Sequence, residues 1–525
     1  MREAVWLKVL LVTGVLAEDS VKGYAKESHV ETKILVLKVP VAAFLSPDSI
    51  AKALENVALK GFDIVLVPGL VRGDTKTVWD STGIPTFKGP IYAADLPTIL
   101  DSLGEVKLST VMPADELLAE RLKDKALEEL LTVEENRDIL LRKRGSMLIR
   151  DLAIGSHFPM RVMAEIVDAA LMPSEEVQRL AQEYVRLGAD IIDVGMVSGE
   201  SRPADASRLV GAAKKVVNVP VSIDTLDPVE IQAAVGVGAD LVLSGDAGNL
   251  EALAPFAKNV AVVLIPTNQR EGYFPKTAEE RVSFLEEIIR KARKLGITKV
   301  IGDLILEPTN VLESMMAFHE FAKRNPEVPL FVGVSNVTEL MDADSVGVNA
   351  LLARLSSEVG ASILLATEKS DKAKGTVREE VVASKMMFLA KKRGSVPKDL
   401  GLDLLVLKDK RNREEPYNKA IETMVPVVVA AEKSKRTALD EKGSFRIAVD
   451  RAGEEIVALH YVSAKTDNPD KLIKGKTAEG LLAKIMEIGL ISKIDHAGYL
   501  GSELAKAEIA LRTGKEYIQD TRLFK

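Results

Sequence analysis

The chain has 525 residues, 47% of them hydrophobic, and a formal net charge of −7. That length exceeds a single core and suggests about three units of ordinary domain size, and the balanced, slightly acidic charge provides no basic field for nucleic acid. There is no cysteine, which excludes disulfides, thiolate nucleophiles, iron–sulfur clusters and cysteine zinc sites together.

Residues 1–112 alternate short apolar runs with helical patterns. Lys8-Val-Leu-Leu-Val-Thr-Gly14, Lys33-Ile-Leu-Val-Leu-Lys-Val39 and Phe62-Asp-Ile-Val-Leu-Val-Pro-Gly69 read as parallel strands, so a Rossmann-like or flavodoxin-like α/β domain is expected. Thr13-Gly14 and Pro68-Gly69 close strands where doubly wound sheets bind ligands. No full Gly-x-Gly-x-x-Gly accompanies them, and simple chain reversal is the favoured reading. Residues 113–150, dense in Glu, Leu, Lys and Arg and ending on Arg142-Lys-Arg-Gly145, read as a helical connector with a solvated charged face.

From Arg161 to Arg393 strand and helix alternate eight times, with strand ends expected near Glu165, Met196, Thr225, Asp246, Pro266, Leu306, Asn336 and Thr367. Eight such units match a closed (β/α)8 TIM barrel, assigned to residues 151–394. Its first helix has Ser174 as N-cap, Val177, Leu180, Ala181, Tyr184 and Val185 as its apolar face, and Gly188 as its stop. Two runs frame the chemistry. Gly188-Ala-Asp-Ile-Ile-Asp-Val-Gly195 and Val219-Pro-Val-Ser-Ile-Asp-Thr225 are too short for helices and read as buried parallel strands that end on Asp193 and Asp224. In a β/α barrel that rim is where chemistry sits.

Gly394-Ser-Val-Pro397 marks the next boundary. Residues 395–525 are expected to form a small α+β domain: a hairpin around Arg451-Ala-Gly453, then helices over Thr477 to Gly489 and Gly501 to Leu511.

Taken as a set, Gly188 to Gly195, Glu200-Ser-Arg-Pro203, Ser222-Ile-Asp-Thr225, Gly238-Ala-Asp240 and Phe331-Val-Gly-Val-Ser-Asn336 resemble the pterin-binding barrel superfamily, which includes dihydropteroate synthase and the methyltetrahydrofolate-type methyltransferases. The resemblance covers residues 150–393, and the flanking regions are similar to the extra domains of archaeal dihydropteroate synthase-like proteins. It implies a site for a reduced pterin of the folate or methanopterin type. Asp224 would face the pterin and whatever leaves its exocyclic carbon. Asp303 would accept the paired N–H donors of the amino-pyrimidine edge, which suits a buried carboxylate; its plainer reading is a helix N-cap. Glu165, Asp193, Ser244, Asp246, Asn336 and Lys369 would complete the pterin site; Asn268 and Gln269 are polar candidates on a loop that is long enough to act as a flap and reads equally well as a plain surface loop.

The motifs divide between two branches. Gly333-Val-Ser-Asn336 lacks the synthase lysine and is similar to methyltransferases, whose asparagine bonds near pterin N5. Glu165 also stands where that branch has Glu, and Lys369 is the nearest cation to an arginine that synthases carry after the eighth strand. Glu200-Ser-Arg-Pro203 instead resembles the synthase loop whose arginine, here Arg202, holds a diphosphate. Two enzymatic readings stay open, with Asp224, Arg202 and Asn336 as the catalytic candidates. One joins a pterin diphosphate to an aromatic amine, with Mg2+ if the diphosphate is bound; the other moves a methyl group to a corrinoid protein or a thiol. A pterin-binding scaffold without catalysis is the third reading.

His157 and His496 are the two histidines that invite a role, but no paired histidine spacing supports a metal site. No apolar run reaches about 18 residues and no signal-peptide pattern opens the chain, so a cytoplasmic protein without nucleic acid or membrane partners is expected. A homodimer is the expected assembly. The absence of cysteine with abundant Glu, Lys and Arg suits a thermophilic source, and the resemblance of the flanking regions implies an archaeal one.

Overall fold

Short apolar runs become parallel strands throughout the first part of the chain. The computed structural model describes residues 7–41, 44–410, 417, 419–430, 439–463 and 468–524. Lys8–Gly14 (β1), Glu31–Leu37 (β2), Ile64–Val67 (β3) and Thr86–Lys88 (β4) form a parallel sheet in the order β2-β1-β3-β4. Its helices are Glu18–Ala25 (α1), Pro47–Leu54 (α2), Lys76–Thr82 (α3) and Leu96–Asp101 (α4). Period-two alternation sends Leu10 and Val12 against Ile50 and Leu54, and Val9 and Leu11 against Leu96 and Leu100. The 22-residue helix Ala114–Glu135 (α5) and the short Arg137–Leu140 (α6) then lead to a hairpin of Met147–Ile149 (β5) and Leu152–Ile154 (β6).

The next strands are Arg161–Ile166 (β7), Ile191–Gly195 (β8), Val221–Asp224 (β9), Leu241–Gly245 (β10), Ala261–Leu264 (β11), Val300–Gly302 (β12), Leu330–Val332 (β13) and Ala361–Thr367 (β14). They are parallel and close on themselves, β14 pairing with β7. The returning helices are Ser174–Leu187 (α7), Pro203–Val216 (α8), Pro228–Gly236 (α9), Leu250–Leu253 (α10), Ala278–Lys294 (α11), Val311–Arg324 (α12), Ser335–Thr338 (α13), Ser345–Glu358 (α14) and Thr376–Arg393 (α15). This is the (β/α)8 barrel the alternation predicts. Ile192 and Val194 pack outward on helices, while Met163, Ile191, Leu241, Val263, Ile301, Phe331 and Ile363 fill the interior with Ile149 and Ile154 of the β5–β6 hairpin.

Several local expectations are corrected. β12 stops at Gly302, short of Leu306, because the Asp303 carboxylate accepts from the Ile305 N–H (2.8 Å) and Ile305 takes a φ of 62°, which turns the chain. β13 stops at Val332. Val334 already has helical angles (φ −64°, ψ −32°), so Asn336 rides on the one-turn α13 and not on a strand. Asn310 is the N-cap residue of α12, so Asp303 is not a helix cap. Ser174 starts α7 without capping it; its hydroxyl accepts from Arg208 (3.0 Å).

A division by compactness separates the chain at Leu404 from a second, C-terminal unit. There Ser444–Asp450 (β15), Glu455–Tyr461 (β16) and Lys471–Gly475 (β17) form an antiparallel sheet, so a third strand joins the expected hairpin. Ala478–Glu487 (α16) and Ile494–Thr513 (α17) pack on it through Leu481, Ile485, Leu500 and Leu504. His496 lies in the first turn of α17 and its Nδ1 pairs with Asp440 (3.0 Å). No described helix is long and apolar enough to cross a membrane.

Candidate functional site

The alternation that fills the barrel with Met163 and Ile191 lifts Glu165 and Asp193, two residues further along β7 and β8, into the next interior layer. Asp224 ends β9 and Asp303 follows β12. Glu165, Asp193 and Asp224 each offer an oxygen within 4.8 Å of the other two. Asp193 is fully buried; one oxygen accepts from the Ser222 hydroxyl and the other has no partner. Glu165 fits because residue 195 is glycine: a Cβ there would stand 2.5 Å from Glu165 Oε1. Asp224 lies partly open to the mouth, and its carboxylate accepts no hydrogen bond among the described residues. Asp303 uses one oxygen on Ile305 N–H and keeps the other.

Crowding of carboxylates away from water raises their affinity for protons. Burial, then the charges of Asp193 and Asp168, push Glu165 up to about 8. Burial, then Glu165 and Asp303, push Asp224 up to about 8. Burial and the neighbouring Asp224 hold Asp193 well above the usual carboxylate range. Burial raises Asp303 to about 7 against the opposing pull of the Ile305 N–H and Arg281. The cluster therefore retains protons at neutral pH and titrates as a group. It can accept hydrogen bonds from a flat polar ring, keep a proton on a ring nitrogen, or bind a divalent cation through the hard oxygens of Glu165, Asp193 and Asp224. No metal motif marks these three in the sequence, because each comes from a different strand.

The other site candidates make no hydrogen bond to the cluster carboxylates among the described residues. Arg202, half-buried at the N-cap of α8, pairs with Glu200 (2.5 Å) and stands 3.9 Å from Asp205. Exposed Lys369 pairs with Asp168 (2.7 Å) and reaches Glu165 only through its field. Asn336 is exposed and donates to Leu306 O (3.2 Å), tying α13 to the loop after Asp303. Ser244 is partly buried on β10, its carbonyl accepting from Asn249 (3.2 Å). Asp246 is spent on its own loops, accepting from Gly248 N (2.8 Å), Asn249 N (3.0 Å), Thr267 Oγ1 (3.0 Å) and Gln269 N (2.8 Å). It clamps these loops together, whereas the resemblance implies a place for it against the pterin. Asn268 and Gln269 begin a turn in which the Asn268 and Tyr273 backbones pair.

One residue escaped sequence reasoning. Glu230, 1% exposed in the first turn of α9, accepts from the backbone N–H of Arg202 (2.7 Å) and from the Thr225 hydroxyl. It pins the end of the β8–α8 loop beside Asp224. The only local signal is an acidic residue early in a helix, which helix-dipole stabilisation explains equally well. Glu230→Ala is expected to lower stability by about 1–3 kcal/mol, since two donors lose their acceptor, and to speed hydrogen exchange at the Arg202 amide. Unchanged denaturation and exchange would show that the clamp is dispensable.

With this geometry in view, comparisons place the chain. A family profile described as pterin binding enzyme matches residues 168–368, a span that includes Asp193, Arg202, Asp224, Asp303 and Asn336. An archaeal relative, "Uncharacterized protein MJ0107" of Methanocaldococcus jannaschii, is 44% identical over 542 residues, covering 100% of both chains. The chain belongs to the same family as this relative, and its barrel to the pterin-binding barrel superfamily. Profiles described as a family of unknown function (DUF6513) and as PterinBD-DUF4346 match residues 7–91 and 439–520 on either side of the pterin-binding barrel. Among solved structures, Yersinia pestis dihydropteroate synthase with a pterine-sulfa conjugate is 20% identical, covering 47% of this chain and 99% of that one at a TM-score of 0.38. The Xanthomonas albilineans synthase in complex with 7,8-dihydropteroate is 19% identical, covering 48% and 96% at a TM-score of 0.37.

Proposed function

We propose that this pterin-binding barrel is a transferase acting on a reduced pterin. One observation carries the reading: Asp224 and Asp303 stand at the mouth of the barrel interior with carboxylate oxygens unused by the protein. A pterin's amino-pyrimidine edge carries adjacent N–H donors that such a carboxylate accepts as a charge-assisted pair. The test is calorimetric titration with a dihydropterin diphosphate, a methyltetrahydropterin and the unmodified pterin. Saturable binding of at least one is expected; no binding by any of them overturns the proposal.

Two group transfers fit the surroundings. In the first, an aromatic amine displaces diphosphate from the exocyclic carbon, and Arg202, whose backbone N–H is held by Glu230, would turn its planar guanidinium from Glu200 to the phosphate oxygens of the leaving group. A divalent cation, when bound, would neutralise diphosphate charge, and Glu165, Asp193 and Asp224 supply fitting oxygen ligands. In the second, the methyl group leaves N5 of a tetrahydropterin for a corrinoid or thiol acceptor. The proton-retaining carboxyl cluster favours this transfer, because a protonated N5 is the better leaving group.

Two substitutions separate them. If diphosphate leaves, Arg202→Ala weakens binding of the pterin diphosphate by roughly tenfold or more while binding of the plain pterin holds. If methyl leaves, Asn336→Ala cripples turnover of methyltetrahydropterin while Arg202→Ala is tolerated. Should pterins bind while neither substitution alters binding or turnover, the non-catalytic scaffold reading stands in place of both transfers.

A further inference from the structure

At the other end of β7 from Glu165, the start of the strand borders a cavity of about 230 Å3. Its walls come from α5, from residues 159–162, from the turn into β8 and from α15. A dry cavity of about 150 Å3 already accommodates benzene, so this one has room for a molecule of roughly nine or ten non-hydrogen atoms by the same scale. Much of the lining is aliphatic, including Leu130, Met160, Val162 and Val381. Leu127 and Leu131, one turn apart on α5, stay 40% and 63% exposed beside it.

The charged groups of the lining are unevenly served. Arg161, only 6% exposed, donates from Nε to Ala153 O (2.8 Å) and pairs through its terminal nitrogens with Glu134 (2.8 and 3.2 Å). Asp190 accepts from Val162 N–H (2.9 Å) and stands 3.8 Å from Arg161. Both carboxylates therefore have donors. Lys385, half-buried on α15, makes no hydrogen bond or ion pair among the described residues and acts on Asp190 only through its field. A partly desolvated ammonium without an acceptor is costly to maintain, and Arg161 keeps donor capacity beyond the bonds it makes. The missing partner is thus an anion. Glu134 and Asp190 border the same space, which disfavours more than one negative charge.

We infer that this cavity binds a small amphipathic monocarboxylate, its carboxylate between Lys385 and Arg161 and its hydrocarbon against Leu127, Leu131 and Val381. The site is separate from the carboxylate mouth and does not depend on the pterin reading.

Titration of the full chain with sodium hexanoate tests it, with hexan-1-ol and hexylamine as uncharged and cationic counterparts. Saturable hexanoate binding is expected, with the alcohol and the amine at least about tenfold weaker. Lys385→Met should weaken hexanoate by about tenfold without lowering the melting temperature, because that side chain holds no bond in the fold. Leu131→Ser should weaken hexanoate as well and leave pterin binding untouched. The inference fails if hexanoate gives no saturable heat at millimolar concentration, if the alcohol or amine binds equally well, or if Lys385→Met binds hexanoate as the parent does.

Discussion

Asp224→Asn is expected to abolish most pterin binding while making the ligand-free protein more stable. The carboxylate has no protein donor, and burial with the neighbouring Glu165 and Asp303 raises it to about 8. Removing its charge therefore relieves the apo fold, by about 1–3 kcal/mol at neutral pH once sharing of protons across the cluster is allowed for. The same change removes an acceptor of paired N–H groups from the pterin, at a cost on the order of 2–4 kcal/mol, since buried donors on the ligand go unpaired. Asp303→Asn should lose comparable affinity, whereas an amide oxygen can keep the bond from Ile305 N–H and with it the local turn. Denaturant titration and calorimetry on the same samples separate the two effects. A drop in apo stability on Asp224→Asn would mean that the carboxylate is held by the fold; undiminished affinity would remove Asp224 from the pterin site.

Stability of the ligand-free protein should fall as pH rises from about 4 to about 8. Glu165, Asp193, Asp224 and Asp303 all bind protons more tightly in the folded chain than carboxyls do when unfolded. Between the unfolded values near 4 and the folded values near 7 to 8 of Glu165, Asp224 and Asp303, the native state carries more protons, so stability falls with rising pH by about 1.4 kcal/mol per pH unit for each proton the cluster as a whole retains. Above the folded values the loss is complete and the curve levels. Below about pH 4 the opposite group takes over. Asp440 pays a burial penalty that hydrogen bonds from Ser492 and Lys442 outweigh, which holds it below the usual range, and its contribution disappears as acid protonates it. Melting temperatures across pH 4 to 9 check this, and a flat or rising profile between 5 and 8 would contradict the proton-retaining cluster. Pterin affinity should run the other way, strengthening towards pH 8, because Asp303 must ionise to accept two N–H bonds.

Much of the barrel was legible before the structure. Strand and helix patterns are local: Ile191 and Asp193 against Ile192 and Val194 show a strand's two faces, and Val177, Ala181 and Tyr184 show a helix's buried stripe. The resemblance carried by residues 188–195, 222–225 and 331–336 named the superfamily for the same reason, since motifs are stretches of neighbours. Local signals also set the errors. The side-chain hydrogen bond at Asp303 and the helical turn at Val334 ended strands that apolar composition alone would have continued to Leu306 and Asn336.

Other features depended on barrel closure. Glu165, Asp193 and Asp224 meet only because β7, β8 and β9 lie side by side in register, and their raised proton affinity is a property of that shared, poorly hydrated space. Asp246 became a clamp because Thr267 and Gln269, more than twenty residues away, turn back onto it. Glu230 found Arg202 across 28 residues, and Lys385 came to line the cavity with Arg161 only when α15 closed on β7. What the chain by itself determined was therefore each element and the face it would bury. Which charges share a space, and which are left without partners, was decided by closure, because Coulomb and desolvation energies depend on three-dimensional distance and burial that sequence separation does not encode.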